Sequence, residues 1–160
     1  MIRDFEIHEG KLAPAYASAA ASVATGMGVV LNRASKTFAL PSAATADDIF
    51  VVHKARKATG VNAAMTDFSD YFTEFNTVAS GEFVPLVKYE AADVFGTDQF
   101  ASTITSSDFG KYLVVGTDGK WDVGASSAAS VYKLLGFYTD AGAHKLAQIE
   151  VLDTAGNNPA

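Results

Sequence analysis

The chain contains no cysteine, only four prolines and one tryptophan, and fewer basic than acidic residues. Without cysteine it has no disulfide scaffold, no thiolate zinc site and no cysteine nucleophile. Twelve Lys and Arg against 18 Asp and Glu give a net charge of −6, and no basic cluster occurs, so no nucleic acid partner is expected. No apolar run approaches the ~18 residues of a membrane span, so no membrane partner is expected either.

The length of 160 residues predicts one domain with its own hydrophobic core. Apolar residues make up 49% of the chain, but 28 residues are alanine, which leaves a modest number of large apolar side chains. Thr, Val, Ile, Phe, Tyr and Trp together number 51, against 32 for Leu, Met, Glu, Lys, Gln and Arg. This balance favours β-structure.

The two ends of the chain differ in composition from its middle. Seven alanines lie between Ala13 and Thr25, which predicts that Met1 to Thr25 forms an extended N-terminal arm with little to bury. The charged residues of the first ten positions predict no signal peptide. Asp153 to Ala160 contains Gly, Asn and Pro and is expected to be a flexible tail.

Between these ends, Gly26 to Leu152 consists of short apolar runs separated by turn residues. This pattern predicts an all-β domain, a mostly antiparallel sandwich or barrel with at most one or two short helices. Met27 to Leu31 and Thr37 to Leu40 flank a polar loop and predict a hairpin. Ile49 to Ala55 is apolar at successive positions, so both of its faces are expected to be partly covered.

The last third of the chain carries two further hairpin signals. Gly116 to Gly119 is an Asp-Gly turn between two apolar runs, and a second turn separates Val131 to Thr139 from Lys145 to Leu152. Gln99 to Thr105 alternates as a half-buried strand should. Pro85 cannot donate to a ladder and predicts an edge strand or a bulge.

No catalytic or metal-binding pattern is present, so neither an enzyme nor a cofactor is predicted. His8, His53 and His144 are far apart in sequence and have no metal-ligand spacing. Aromatic residues number 18, and an exposed Tyr71 or Trp121 could stack on a sugar ring. A carbohydrate- or receptor-binding β module is therefore one open alternative, and a tail tube or connector subunit is another.

Three stretches carry a resemblance to a known family. They read GMGVVLNRASKTFALPSAATADDIFVVHKA from Gly26, GEFVPLVKYEAADVFGTDQF from Gly81, and GKYLVVGTDGKW from Gly110. In this succession of Gly-led strands, short hairpins and small-residue loops, the chain resembles the β-rich decoration, or cement, proteins on the heads of tailed bacteriophages.

The resemblance implies a structural virion protein that is made in the host cytoplasm and binds the capsid exterior. Its partners would be the major capsid protein and further copies of itself, with a trimer favoured. It would stabilise the shell by many contacts repeated by symmetry. The arm would contribute Pro14, Tyr16 and Val23 to partner binding, and the family implies no catalytic residues.

Overall fold

The chain folds almost entirely into β-structure, as its composition predicts. The computed structural model describes residues 2–6, 15–54, 76–139 and 144–160, which contain thirteen strands and a 3-10 helix, Ser106–Asp108. In chain order the strands are β1 (Ile2–Glu6), β2 (Ala15–Ala19), β3 (Val23–Ala24), β4 (Gly28–Asn32), β5 (Thr37–Ala39), β6 (Ile49–Val52), β7 (Thr77–Val78), β8 (Phe83–Val87), β9 (Val94–Thr97), β10 (Tyr112–Val115), β11 (Trp121–Val123), β12 (Ser130–Thr139) and β13 (Lys145–Gly156).

The strands form two main bodies. Six of them make an antiparallel sheet in the order β1-β9-β13-β12-β10-β11, and five close into a small barrel in the order β2-β5-β4-β6-β8. Within the barrel, only the β2–β5 pair is parallel. The short strands β3 and β7 form a separate ribbon. The predicted mostly antiparallel all-β class is thus confirmed, and the fold combines a barrel with a separate six-stranded sheet.

The hairpins read from the sequence are confirmed. β4 and β5 pair around the polar loop that begins at Asn32, and β10 and β11 pair around the Asp118-Gly119 turn. In that turn the Lys120 N–H donates to Asp118 Oδ1 at 3.1 Å. β12 and β13 form the longest pair and the centre of the sheet.

Strand β6 is the wall that the two bodies share. All four of its residues are buried, which confirms that both faces are covered. Phe50 and Val52 belong to the core inside the barrel, whereas Ile49 and Val51 belong to the core beneath the six-stranded sheet. Because side chains alternate along a strand, four successive apolar residues supply two cores at once.

Backbone hydrogen bonds also join the barrel to the sheet. The Gly28 N–H donates to the Gly119 carbonyl at 2.9 Å. Thr45 and Val115 exchange two bonds, at 3.0 and 2.7 Å. The Asp-Gly hairpin therefore serves as a docking element against the barrel as well as a chain reversal.

The described parts of the first 25 residues are strands that pair with the rest of the fold. β1 joins the six-stranded sheet, β2 closes the barrel, and β3 pairs with β7. Ala17 and Ala19 are buried in the barrel core, because the interior of a five-stranded barrel has room for small side chains. The fold therefore does not divide at Gly26, and two of the alanines in the predicted arm, Ala17 and Ala19, line a core.

The C-terminal end is also more ordered than its composition suggested. β13 continues past Leu152 to Gly156, and Asn158 is buried. The Asn158 side chain accepts from the Tyr112 N–H at 2.8 Å. It donates to the carbonyls of Tyr112 at 2.9 Å and Gly124 at 2.7 Å. This amide clamps the end of the chain onto β10.

Two local predictions are corrected. Residues 99–105 form no strand, and their pairing is a single bridge from Phe100 to Trp121, followed by a turn. Pro85 lies inside the closed barrel, where no edge exists. The last pair of the β6–β8 ladder is Val52 with Leu86, the neighbour of Pro85. Beyond this pair, the Pro85 carbonyl accepts a hydrogen bond from the His53 N–H at 3.1 Å. The proline thus ends a ladder and does not mark a sheet edge.

In the described ranges, no helix is long and apolar enough to cross a membrane.

Candidate functional site

The residues that the sequence singled out do not form one site. Val23 is buried in the barrel core opposite Val78, so the folded chain does not present it to a partner. Tyr16 lies in β2, with its backbone opposite Pro85 of β8. Pro14 and Tyr71 lie outside the described residues.

Trp121 is fully buried, which corrects the expectation that it is an exposed aromatic. Its Nε1–H donates to the Gly26 carbonyl at 3.2 Å. The Trp121 backbone also bonds Gln99 at 3.0 Å and Ala101 at 2.8 Å, so the segment at residues 99–101 covers the outer side of β11. β11, which the sequence predicts as one strand of a short hairpin, is therefore covered along its outer edge by residues 99–101.

Trp121 belongs to a cluster of four buried aromatic rings. Tyr89 stacks on Phe95 with ring centroids 4.2 Å apart. Trp121 meets Phe95 edge to face at 5.6 Å and Tyr132 at 4.8 Å. Such pairs add about 0.5–1.5 kcal/mol each beyond the area that they bury. The aromatic content of the sequence therefore serves the core at these positions.

Both tyrosines of this cluster carry hydroxyls with internal partners. The Tyr89 hydroxyl donates to Asp4 Oδ1 at 2.5 Å, and the Tyr132 hydroxyl donates to the Ile49 carbonyl at 3.4 Å. Burial, followed by the charges of Asp4 and Asp93, raises the pKa of Tyr89 far above its ordinary value. Burial, followed by the charge of Asp48, raises the pKa of Tyr132 in the same direction.

These shifts predict a loss of stability in alkaline solution. Tyrosines of the unfolded chain ionise from about pH 10, whereas Tyr89 and Tyr132 stay protonated in the folded state. Above about pH 10 each tyrosine should therefore lower the free energy of unfolding by roughly 1.4 kcal/mol per pH unit. The measurement is urea unfolding at about pH 8 and about pH 11, where Tyr89→Phe and Tyr132→Phe should each lose less stability than the parent chain. Equal losses in all three chains would contradict the prediction.

The surface feature with the most distinctive chemistry is an apolar group formed by β12, by the start of β13 and by the segment between β9 and β10. We call it the phenylalanine patch. It consists of Phe100, Phe109, Leu135, Phe137 and Lys145. The Phe137 ring lies 5.5 Å from that of Phe100 and 5.4 Å from that of Phe109. Phe109 is 45% exposed and Leu135 is 44% exposed. An exposed apolar side chain that packs against another ring, as Phe109 does against Phe137, is a candidate contact for a partner.

A pinned turn presents Phe109 at the end of the 3-10 helix. Asp108 Oδ2 accepts from the Thr105 N–H, and Asp108 Oδ1 accepts from Lys111 Nζ, both at 2.8 Å. The hydrogen bond from Lys111, followed by that from the Thr105 N–H, lowers the pKa of Asp108. Gly110 then turns the chain with a φ of 83°, which a residue with a side chain rarely adopts. Its N–H donates to the Leu134 carbonyl at 2.7 Å, so the turn is fixed to β12.

A β-bulge exposes Leu135. Leu134 pairs with Ile149 and Gly136 pairs with Gln148, which leaves Leu135 as the extra residue of β12. Leu134 and Phe137 both pack on the core beneath the sheet, and the unpaired Leu135 is exposed between them. The Cζ atom of Phe109 lies 3.9 Å from the position that a Gly136 Cβ would occupy, beside Leu135.

Lys145 gives the patch a positive charge. Its Nζ lies 3.4 Å from the centroid of the Phe137 ring and 5.8 Å from that of Phe100. A cation held over an aromatic face keeps its outer hydrogens available to an acceptor. The patch can therefore bury apolar side chains and donate to a carboxylate of the same partner.

The phenylalanine patch was not found from the sequence. The sequence predicts Phe100 in a half-buried strand and Phe137 in one strand of a hairpin, and it does not predict that the two rings meet. One signal was available, because Phe109 stands among turn residues in the stretch SSDFGK, where a buried aromatic is not expected.

Among the described residues, no group of His, Asp and Glu could hold a metal ion. A scan against protein-family models, a search of curated proteins and a search of solved structures find no match to this chain.

Proposed function

We propose that this protein is a structural virion subunit that binds the outer surface of a phage capsid and stabilises the shell as a decoration protein. The observation that carries the proposal is the phenylalanine patch, whose exposed Phe109 lies in a turn that is hydrogen-bonded to β12. The sequence resemblance supplies the class of partner, and the patch supplies a surface with which to bind it.

The patch suits contacts that are weak singly and strong when repeated. Burying the exposed part of one large apolar side chain contributes about 1 kcal/mol. A patch whose exposed apolar residues are Phe109 and Leu135, with one lysine, therefore binds weakly by itself. Copies held on a symmetric lattice add avidity without any new kind of contact. A structural role of this kind requires no catalytic group.

Charge favours a partner surface that is acidic around an apolar centre. The chain as a whole carries −6, yet Lys145 lies at the patch, and Lys111 in the turn that presents Phe109 is balanced by its ion pair with Asp108. We expect a capsid subunit to offer apolar side chains bordered by carboxylates that accept hydrogen bonds from Lys145. Complementary charge of this type sets specificity and the rate of association more than affinity.

The test is cosedimentation with capsid shells of the phage that encodes the protein, prepared without it. The variant is the double substitution Phe109→Ser and Leu135→Ser, which removes the exposed apolar area and leaves the partly buried Phe137 in place. The two contacts together contribute about 2 kcal/mol, and about 1.4 kcal/mol corresponds to a factor of ten, so binding should fall at least about tenfold. The fold, followed by circular dichroism, should be unchanged because both residues are surface residues.

The matched control is Phe83→Ser. Phe83 is 59% exposed but lies on the barrel strand β8, away from the patch residues in the sheet. We expect this variant to bind shells as the parent chain does. Unchanged shell binding by the double variant would overturn the proposal. The proposal would also be overturned if the parent chain does not bind shells but binds glycans on an array, and the double variant loses that glycan binding.

Deletion of Met1 to Thr25 is not a usable test of partner binding. It would remove β1, β2 and β3, and with them one wall of the barrel. Any loss of binding would then follow from the loss of the fold.

A further inference from the structure

The hairpin of β4 and β5 carries a surface groove that shares no residue with the phenylalanine patch. The groove has a volume of about 600 Å³, which is within the range of ligand-binding clefts. Residues 30–33 and 37–42 line it, and all of them belong to this hairpin or to the segment that follows it. One continuous stretch of the barrel wall therefore builds the groove.

The outer face of this hairpin is apolar at one pair of residues and polar at the next. Val30, which is 37% exposed, faces the exposed Ala39 across the ladder. Asn32 and Thr37 are paired two positions further along, so their side chains lie on the same face. All four residues line the groove, which can therefore contact an apolar side chain and a polar group of one ligand.

Arg33 gives the groove a positive charge that no carboxylate of the described residues neutralises. Its Cζ atom lies 5.4 Å from the centroid of the Phe50 ring. Lys88 Nζ lies 5.6 Å from the same centroid, but Lys88 forms an ion pair with Asp48. The other two ion pairs in the described parts of the chain lie elsewhere and do not include Arg33. Its five N–H donors are thus available to an acceptor outside the chain.

The loop that carries Arg33 is fixed by its own hydrogen bonds. Asn32 Oδ1 accepts from the N–H groups of Ala34 at 3.0 Å and Ser35 at 3.2 Å. The hydroxyls of Ser35 and Thr37 lie 2.7 Å apart and form a further bond. A guanidinium that is held on such a loop and against an aromatic ring loses little freedom when it binds a ligand.

We propose that this groove binds a peptide segment of a partner protein in which a glutamate carboxylate adjoins an apolar side chain. The carboxylate accepts two N–H groups of Arg33, because the planar guanidinium matches its two oxygens. The apolar side chain covers Val30 and Ala39. A free phosphate suits the groove less well, since it would meet one guanidinium and an apolar wall.

Charge complementarity is the reason for choosing an acidic partner. The chain carries a net charge of −6, so an unpaired guanidinium beside an exposed apolar residue distinguishes this surface from the rest. The proposal does not depend on what the phenylalanine patch binds, and its test uses no capsid shells. The two proposals can therefore fail separately.

The test follows the backbone amide signals of the isotope-labelled full chain by nuclear magnetic resonance during peptide titration. The probe is acetyl-Val-Glu-Val-amide, and acetyl-Val-Gln-Val-amide is the uncharged control. We expect saturable shifts at residues 30–33 and 37–42 with the Glu peptide. The Gln peptide should bind about two- to fivefold more weakly, which is the range for a solvent-exposed ion pair. Arg33→Gln should abolish the difference between the two peptides.

Two further variants separate the contributions of charge and apolar contact. Lys36→Gln removes a positive charge from the same loop, but Lys36 does not line the groove, so the preference for the Glu peptide should persist. Val30→Thr keeps the shape of the wall and makes it polar, so it should weaken the binding of both peptides alike.

Several results would overturn the proposal. They are equal binding of the two peptides by the parent chain, a preference for the Glu peptide that survives Arg33→Gln, shifts confined to residues outside the groove, and no binding of either peptide. Inorganic phosphate is titrated separately. If phosphate shifts the groove residues and the Glu peptide does not, the groove is a phosphate site and the peptide proposal is wrong.

Discussion

Replacing Trp121 with alanine is expected to lower the free energy of unfolding by about 3–5 kcal/mol, the largest effect of any single substitution considered for this chain. The indole is fully buried and contacts both Phe95 and Tyr132 edge to face. Its removal leaves a cavity at the centre of the aromatic cluster and takes one of two donors from the Gly26 carbonyl, which keeps the Thr97 hydroxyl at 3.0 Å. Because small proteins have only about 5–15 kcal/mol of net stability, the variant should be close to unfolding.

Urea unfolding followed by far-ultraviolet circular dichroism measures this loss without relying on tryptophan fluorescence. Trp121→Phe is the companion variant, since it keeps an aromatic ring but cannot donate to Gly26. It should cost less, about 1–3 kcal/mol, because the cavity is smaller, although the hydrogen bond to Gly26 is lost in this variant too. A cost below about 1 kcal/mol for Trp121→Ala would contradict the buried position of this residue.

Replacing Asn158 with alanine is expected to cost about 2–4 kcal/mol, although it lies two residues from the last residue of the chain. The amide makes three hydrogen bonds to backbone groups of Tyr112 and Gly124. Alanine takes this partner from the Tyr112 N–H and the Gly124 carbonyl, while the Tyr112 carbonyl keeps the Gly124 N–H at 2.9 Å. Each lost hydrogen bond carries its own desolvation cost. Asn158→Asp should be at least as harmful, because a carboxylate would face two carbonyl oxygens.

The neighbouring Asn157 provides the matched control. Its side chain is exposed and donates to the Ser126 carbonyl at 3.0 Å, so Asn157→Ala should change stability by no more than about 0.5–1 kcal/mol. Thermal and urea unfolding of the three variants give the comparison. If Asn157→Ala and Asn158→Ala behave alike, the clamp does not stabilise the fold.

Much of the local structure could be predicted because the chain marks it locally. The Asp118-Gly119 turn and the loop after Asn32 each specify a reversal within a few residues. The run Ile49 to Val52 predicts a strand covered on both faces, since no polar residue interrupts it. Alternation and turn residues act over the same short range as the strands themselves.

The candidate site could not be predicted in the same way. Lys145 and Phe109 are 36 positions apart, and a bulge decides which of Leu134 and Leu135 is exposed. A one-residue shift in register exchanges the two faces of a strand, and no local pattern around Gly136 specifies that shift. Exposure at the patch therefore depends on pairing with β13.

By itself, the sequence determined an all-β fold, the positions of its hairpins and the absence of cysteine chemistry, because propensity, alternation and composition act locally. Only the tertiary structure decided that Ala17 and Ala19 line a barrel, that Trp121 is enclosed and that Asn158 clamps the end of the chain. Each of these depends on a partner strand far away in sequence, and small or polar side chains do not reveal what will cover them. For the same reason, the close approach of the Phe5 ring to Gly96 cannot be predicted locally, because these two residues are 91 positions apart in the chain.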